Sequence, residues 1–161
     1  MSAAGDRASV GAPPRVRALR AADLADVVAL DALLTGERKQ DYWSDVLARF
    51  LGDDRRIGLA CAAESGALEG FLFGEVRAFE FGSEPCGWIF AVGVDPASSR
   101  SGIGSALLAR ATELFRAQGV TAVRTMVRRQ DVPLLAFFRG QGFVGGPFVQ
   151  LESTLAAEDG R

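Results

Sequence analysis

The chain predicts a single α/β domain, and three features of the sequence carry that reading. Its 161 residues suit one hydrophobic core, since a fold of roughly 150 residues buries about 70% of the surface its unfolded chain exposes. Its 48% hydrophobic and 24% charged content is ordinary globular usage, which disfavours a disordered, collagenous or coiled-coil chain. Short apolar runs at strand spacing alternate with segments of helical periodicity, as an α/β fold requires.

The elements follow in order. Residues 1–14 are rich in Ala, Gly, Ser and Pro without periodicity and end in Pro13-Pro14, so they read as a flexible leader before a domain spanning 15–155. Val16 and Leu19 belong to a first strand. Leu24, Val27, Val28 and Leu34 recur at helical spacing between Asp23 and the stop at Gly36. A second helix over Asp41 to Leu51 places Trp43, Val46, Leu47 and Phe50 on one stripe. Ile57 to Ala63 and Leu68 to Phe79 read as strands joined by the Glu64-Ser65-Gly66 turn.

After Gly82-Ser83-Glu84-Pro85, every position from Trp88 to Val94 is apolar, the signature of a strand buried on both faces and central in its sheet. A helix from Gly102 to Gln118 carries Leu107, Leu108, Ala111, Leu114 and Phe115 on one stripe and stops at Gly119. Ala122 to Val127 is the next strand. Pro133 opens a last helix ending near Gly142, and Phe143-Val144 with Phe148 to Leu155 forms a final strand pair. The predicted order is βααβββαβαββ, followed by a tail at 156–161. Phe71, Phe73, Phe79, Phe81 and Phe90 are assigned to the core and a pocket wall.

Charge and residue usage exclude several functions. A net charge of -2 argues against nucleic acid as the main partner, because phosphate neutralisation calls for a basic excess. No apolar run approaches the ~20 residues that cross a bilayer, and no secretory signal pattern opens the chain. Cys61 and Cys86 read as free thiols in the cytoplasm. With no histidine, a Ser-His or Cys-His nucleophile is out, and no metal is expected.

The chemistry concentrates in one segment. A strand ending Val92-Gly93-Val94-Asp95-Pro96 runs through Ala97, Ser98, Ser99, Arg100 and Ser101 into Gly102-Ile103-Gly104-Ser105, where the best amphipathic helix begins. Helix N-termini present unpaired N–H groups and about half a positive charge, and glycine admits a phosphate close to the backbone. Arg100 and the hydroxyls of Ser99, Ser101 and Ser105 add donors. No Gly-Lys-Ser/Thr is present, and Leu107 stands where a dinucleotide fingerprint needs its third small residue. The loop therefore suits a diphosphate of another kind.

These residues resemble the signature of the Gcn5-related N-acetyltransferase (GNAT) family, roughly V-x-V-x-P followed by Q/R-x-x-G-x-G/A opening a helix. Asp131, Leu134, Phe138 and Gly142-Phe143 match the spacing of the family's later N-x-x-A-x-x-x-Y and G-F element. The resemblance implies a GNAT-like acyl-CoA N-acyltransferase fold whose mixed central sheet is splayed at the CoA site. It implies acetyl-CoA as co-substrate, bound through the backbones of Val92, Gly93 and Val94, by the loop Ser99, Arg100, Ser101, Gly102, Ile103, Gly104 and Ser105, and near Asp131 and Phe138. Three departures are present: Ser99 replaces the family's Arg/Gln, Asp131 its Asn, and Phe138 the tyrosine that commonly protonates the departing thiolate.

The implied reaction is acetyl transfer to a primary amine by direct attack in a ternary complex. A thiol with a pKa near 8.5 leaves readily, whereas an amine at about 10.4 is neutral only about once in 2,500 molecules at pH 7. Base assistance therefore matters more than acid assistance. Glu75, on the strand beside the central one, is the first carboxylate candidate for that base, and Glu84 and Glu80 follow; a solvated pair of Glu75 with Arg77 is the competing reading. The stretch from Thr35 to Trp43 corresponds to the family's acceptor-covering segment and equally fits an ordinary helix start. Arg124, Arg128 and Arg129 admit a ribose-phosphate contact or a solvent-facing edge. The acceptor is a protein lysine, an N-terminus or a small amine, and family habit suggests a homodimer. The alternative is a non-catalytic acyl-CoA-binding or regulatory domain.

Overall fold

The computed structural model describes residues 12–155. Residues 1–11 of the predicted leader and the whole predicted tail at 156–161 lie outside them. The chain divides into two compact units between Met126 and Val127.

The first unit holds β1 (Val16–Ala18), α1 (Leu24–Thr35), α2 (Gln40–Phe50), β2 (Arg56–Ala62), β3 (Leu68–Arg77), β4 (Cys86–Val94), α3 (Ile103–Ala117) and β5 (Val123–Thr125). The five strands form one sheet in chain order. β1 to β4 are antiparallel neighbours, and β5 joins β4 in parallel after the α3 crossover, the connection that a parallel pair needs. Among the described residues no helix is long and apolar enough to cross a membrane.

The faces of the sheet are covered differently. One core joins α1 and α2 to the sheet through Val27, Val28, Leu30, Trp43, Val46, Leu47, Phe50, Phe71 and Phe73. Trp43 meets Phe71 edge-on and Phe73 at a tilt, with centroids 5.5 and 5.2 Å away, and Phe50 meets Phe73 and Phe90 edge-on at 5.4 and 5.5 Å. Such aromatic pairs add about 0.5–1.5 kcal/mol each beyond the area they bury.

On the other face α3 lies in a groove of strand glycines. A Cβ at Gly70 would come within 2.7 Å of Ile103, one at Gly74 within 2.9 Å of Phe115, and one at Gly87 within 2.6 Å of Phe115. The stripe Ile103, Leu107, Ala111 and Phe115 is buried, so the apolar face of α3 is seated because the sheet withholds side chains beneath it.

Three expectations change. Phe79 and Phe81 are not core: they are 70% and 96% exposed, because β3 stops at Arg77 and the short turn Glu80–Gly82 follows, with φ of 57° and 49° at the two phenylalanines. β4 is less buried than its apolar run predicts, with Trp88, Phe90, Ala91, Val92 and Val94 only partly buried. The final strand pair is absent: residues 143–155 lie in no ladder among the described residues, so the observed order ends at α4. Gly145-Gly146-Pro147 interrupts that stretch, proline offers no N–H to a ladder, and Val144, Val149, Leu151 and Leu155 are 80–90% exposed.

The second unit contains α4 (Val132–Gly140). Asp131 caps it by accepting the Leu134 N–H at 3.2 Å, and Phe138 is buried against Phe137 and Phe143, with centroids 5.2 and 5.0 Å away.

Candidate functional site

The site begins where two strands part. The β4–β5 ladder runs only from Gly87↔Val123 to Ile89↔Thr125, closed by Gly87 N–H to the Ala122 carbonyl and by the Thr125 hydroxyl to the Ile89 carbonyl, both at 2.9 Å. β4 continues for five more residues, from Phe90 to Val94, whereas β5 has ended. A bulge accompanies the parting: Phe73 pairs with Ala91 but Gly74 with Ile89, leaving Phe90 as the extra residue. The Asp95 N–H reaches the Glu69 carbonyl of β3 at 2.8 Å. Backbone alternation then turns the N–H and C=O groups of Val94 and Val92 to the opposite, β5-side edge.

Gly93 lies between them. A Cβ there would sit 2.8 Å from the side chains of Leu34 and Phe71, so the end of α1 covers this stretch of β4 on one face. Glycine is required for that close approach.

The loop after β4 is built from short local bonds. The Asp95 carboxylate accepts the Ala97 N–H at 2.8 Å and starts the turn Pro96–Ser98. The Ser98 hydroxyl donates to Glu69 Oε1 at 2.8 Å, and the Ser101 hydroxyl donates to the Ser98 carbonyl. Arg100 takes a left-handed backbone with φ 68°, uncommon for a side chain of its size. Gly102 follows at φ 81° as the N-cap of α3, and no side chain caps that helix. Open space surrounds the position of a Cβ at Gly102. The first turn of this 15-residue helix thus has no side-chain cap, with the positive end of the helix dipole behind its amides. Such a cradle fits an anionic diphosphate.

Val92 to Ser105, named from the sequence, therefore occupy one continuous strand, loop and helix start. One contributor escaped that reading, Glu69, and with it the bond that Ser98 makes to its carboxylate. That bond joins residues 29 positions apart, and no local pattern signals it. Asp131 and Phe138 belong to the second unit and are placed there as described above.

The carboxylate candidates sit elsewhere on the sheet. Glu75 pairs in register with Arg56 on β2 and Trp88 on β4, within the part of β4 still laddered to β5. It forms ion pairs with Arg77 at 3.1 Å and Arg56 at 3.9 Å, while the Arg77 guanidinium lies 4.5 Å from the Trp88 ring. Glu84 is exposed in the turn before β4, and Glu80 is exposed in the short helix that precedes it.

The segment from Thr35 to Trp43 forms a tight helix junction. Gly36 ends α1 with φ 77°. Trp43 is 3% exposed and donates its Nε1–H to Asp31 Oδ2 at 2.9 Å. Lys39, at the N-cap of α2, turns its ammonium back to the same oxygen at 2.9 Å and leaves α2 without a side-chain cap. Tyr42 is 48% exposed.

Comparisons with known proteins agree with this geometry. A model of the acetyltransferase (GNAT) family matches residues 24–143. Mycothiol acetyltransferase of Thermobifida fusca (strain YX) is 31% identical over 110 residues, 66% of this chain and 32% of that protein. That of Segniliparus rotundus is 30% identical over 107 residues, 66% of this chain and 37% of that protein. The chain spans about a third of the length of these curated relatives.

Among solved structures, the aminoglycoside 6'-N-acetyltransferase AAC(6')-Ih of Acinetobacter baumannii superposes with a TM-score of 0.75 at 17% identity, covering 89% of this chain and 99% of its own. AAC(6')-Iy, in complex with the bisubstrate analogue CoA-S-monomethyl-acetylneamine, superposes at 0.77 with 15% identity, covering 90% of this chain and all of its own. At these identities the likeness is one of fold. With the family's pattern running from α1 to the end of α4 and beyond on that fold, the chain belongs to the acetyltransferase (GNAT) family.

Proposed function

We propose that the chain is an N-acetyltransferase that moves an acetyl group from acetyl-CoA to a primary amine within a ternary complex. The observation that carries this reading is the ending of the β4–β5 ladder at Ile89 directly before a loop that leads to an uncapped helix N-terminus. The backbones of Val92 and Val94 then line the opened edge for the pantetheine arm, and the loop from Ser99 to Ser105 takes the diphosphate. Acetyl-CoA, when bound, supplies the acetyl group as a thioester. Free cysteines at 61 and 86 suit the reducing cytoplasm as the place of action.

What the chain itself must do is orient the amine and accept a proton. Leu34 and the α1–α2 junction beside Gly93 form the acceptor-side wall in this reading. Structural relatives named for aminoglycosides favour a small amine over a protein lysine. Glu75 and Glu84 are the proposed proton acceptors. Because Glu75 also holds two arginines, Glu75→Gln speaks for catalysis only if Arg56→Met, which breaks an ion pair and keeps the carboxylate, leaves kcat unchanged.

The test is a thioester-consumption assay with sisomicin, a lysine peptide and simple alkylamines, alongside calorimetric titration with CoA. Turnover on at least one amine is expected. Binding of CoA without turnover on any amine would instead favour a regulatory domain, the reading that Phe138 in place of tyrosine prompts; no heat with CoA would refute both.

A further inference from the structure

We propose that Glu69 is a positioning residue for the diphosphate loop, acting through Ser98; this rests on the reading of residues 99–105 given above. Glu69 is half-buried near the start of β3. Its backbone carbonyl accepts the Asp95 N–H at 2.8 Å, where the chain leaves the sheet. Its Oε1 accepts the Ser98 hydroxyl at 2.8 Å, where the Pro96–Ser98 turn ends. The Ser98 carbonyl in turn accepts the Ser101 hydroxyl and, at 3.4 Å, the Ser101 N–H. One strand residue thereby holds the entry and the middle of the loop, and the contacts end one residue before left-handed Gly102.

The loop needs such an anchor. Arg100 has a positive φ, a conformation a residue with a side chain holds only when its surroundings fix it. A mobile loop would have to be ordered on binding, at a cost to affinity.

A carboxylate is nevertheless an odd anchor beside an anion site, since its negative charge opposes the ligand. The hydrogen bond and the charge of Glu69 therefore act in opposite directions on diphosphate binding, and substitutions separate them. Glu69→Gln keeps an acceptor oxygen for Ser98 and removes the charge. Glu69→Ala removes both.

The experiment titrates CoA into the full chain by calorimetry and follows hydrogen exchange of the amides from 99 to 104. Glu69→Ala is expected to weaken CoA about five- to tenfold and to speed exchange in the loop. Glu69→Gln should bind at least as tightly as the parent at low ionic strength and lose that advantage in high salt. Adding Ser98→Ala to Glu69→Ala should cost nothing more, because the two groups share one bond. Glu64→Ala, in the exposed turn of the same hairpin, should change neither readout.

If Glu69→Ala leaves affinity and loop exchange unchanged, or if Glu69→Gln is as weak as Glu69→Ala, the proposal is overturned. If the parent takes up no CoA while Glu69→Ala still loosens the loop, the diphosphate reading itself is wrong and Glu69 merely orders a turn. Thermal unfolding of each variant separates loss of the site from loss of the fold.

Discussion

The Phe115 ring occupies the space that a side chain at Gly87 would need: a Cβ there would fall 2.6 Å from Cδ2 and 2.7 Å from Cγ of the ring. Phe115 is fully buried and cannot swing into solvent. Gly87→Ala should therefore lower stability by about 1–3 kcal/mol, the usual cost of overpacking a filled core. Phe115→Leu in the same chain should recover part of that loss, as measured by urea unfolding. Additive losses in the double variant would show that the two residues do not compete for space.

Gly102 differs in kind, because nothing lies near its missing side chain and only its φ of 81° demands glycine. Gly102→Ala is expected to cost about 1–2 kcal/mol of backbone strain and to weaken CoA severalfold. Gly66→Ala, at φ 90° in an open hairpin turn, carries the same strain away from the loop and should leave CoA affinity alone. Equal affinities for the two variants would contradict the assignment of the helix entrance.

Acid should attack the fold at the turn between β1 and α1. Asp23 accepts both Arg17 guanidinium nitrogens, at 2.7 and 2.8 Å, and the Arg20 N–H at 2.7 Å. The bond from Arg17 lowers its carboxyl below the ordinary value, burial opposes that in part, and the Arg20 amide and the two arginine charges help to lower it. A carboxyl whose folded pKa is depressed binds fewer protons folded than unfolded, so its stabilisation is complete above the ordinary pKa of about 3.9 and is lost as pH falls through the lower folded value. Asp23→Asn should be less stable at neutral pH and should lose less on going from pH 5 to pH 2, by denaturant titration at each pH.

Cys61 should be a slow thiol. Burial raises its pKa first, and the nearby Glu69 charge adds to that. Thiolate is the reactive form, so alkylation of Cys61 at pH 7.5 should lag far behind a free cysteine and catch up on unfolding in guanidinium. Glu69→Gln should speed the native reaction modestly.

Helices and the inner strands were legible because their signals are local. Leu107, Ala111 and Phe115 announce one face of α3, and the apolar run from Trp88 to Val94 announces a strand in the middle of a sheet. The loop from Asp95 to Gly102 was legible as a strand-to-helix junction because Pro96 closes the apolar run and Gly102 opens the stripe of α3. The role of Gly70, Gly74 and Gly87 was not readable, since their groove exists only once β3 and β4 lie side by side. Nor was the bond from Ser98 to Glu69, which joins distant stretches, or the exposure of Phe79 and Phe81, where hydrophobicity argued for burial but two left-handed residues turn the chain outward. The last strands failed because alternation alone was read as a strand across Gly145-Gly146-Pro147, where proline offers no N–H to a ladder.

The joint between β4 and β5 is three residue pairs long, against eight between β3 and β4, and among the described residues it is the one parallel joint. Its partners meet through a crossover, so it closes after the local hairpins have zipped. This short parallel seam is the place where, in the proposed reading, the cofactor arm would wedge, and a guest lodged there would act as a rivet across a margin of three pairs.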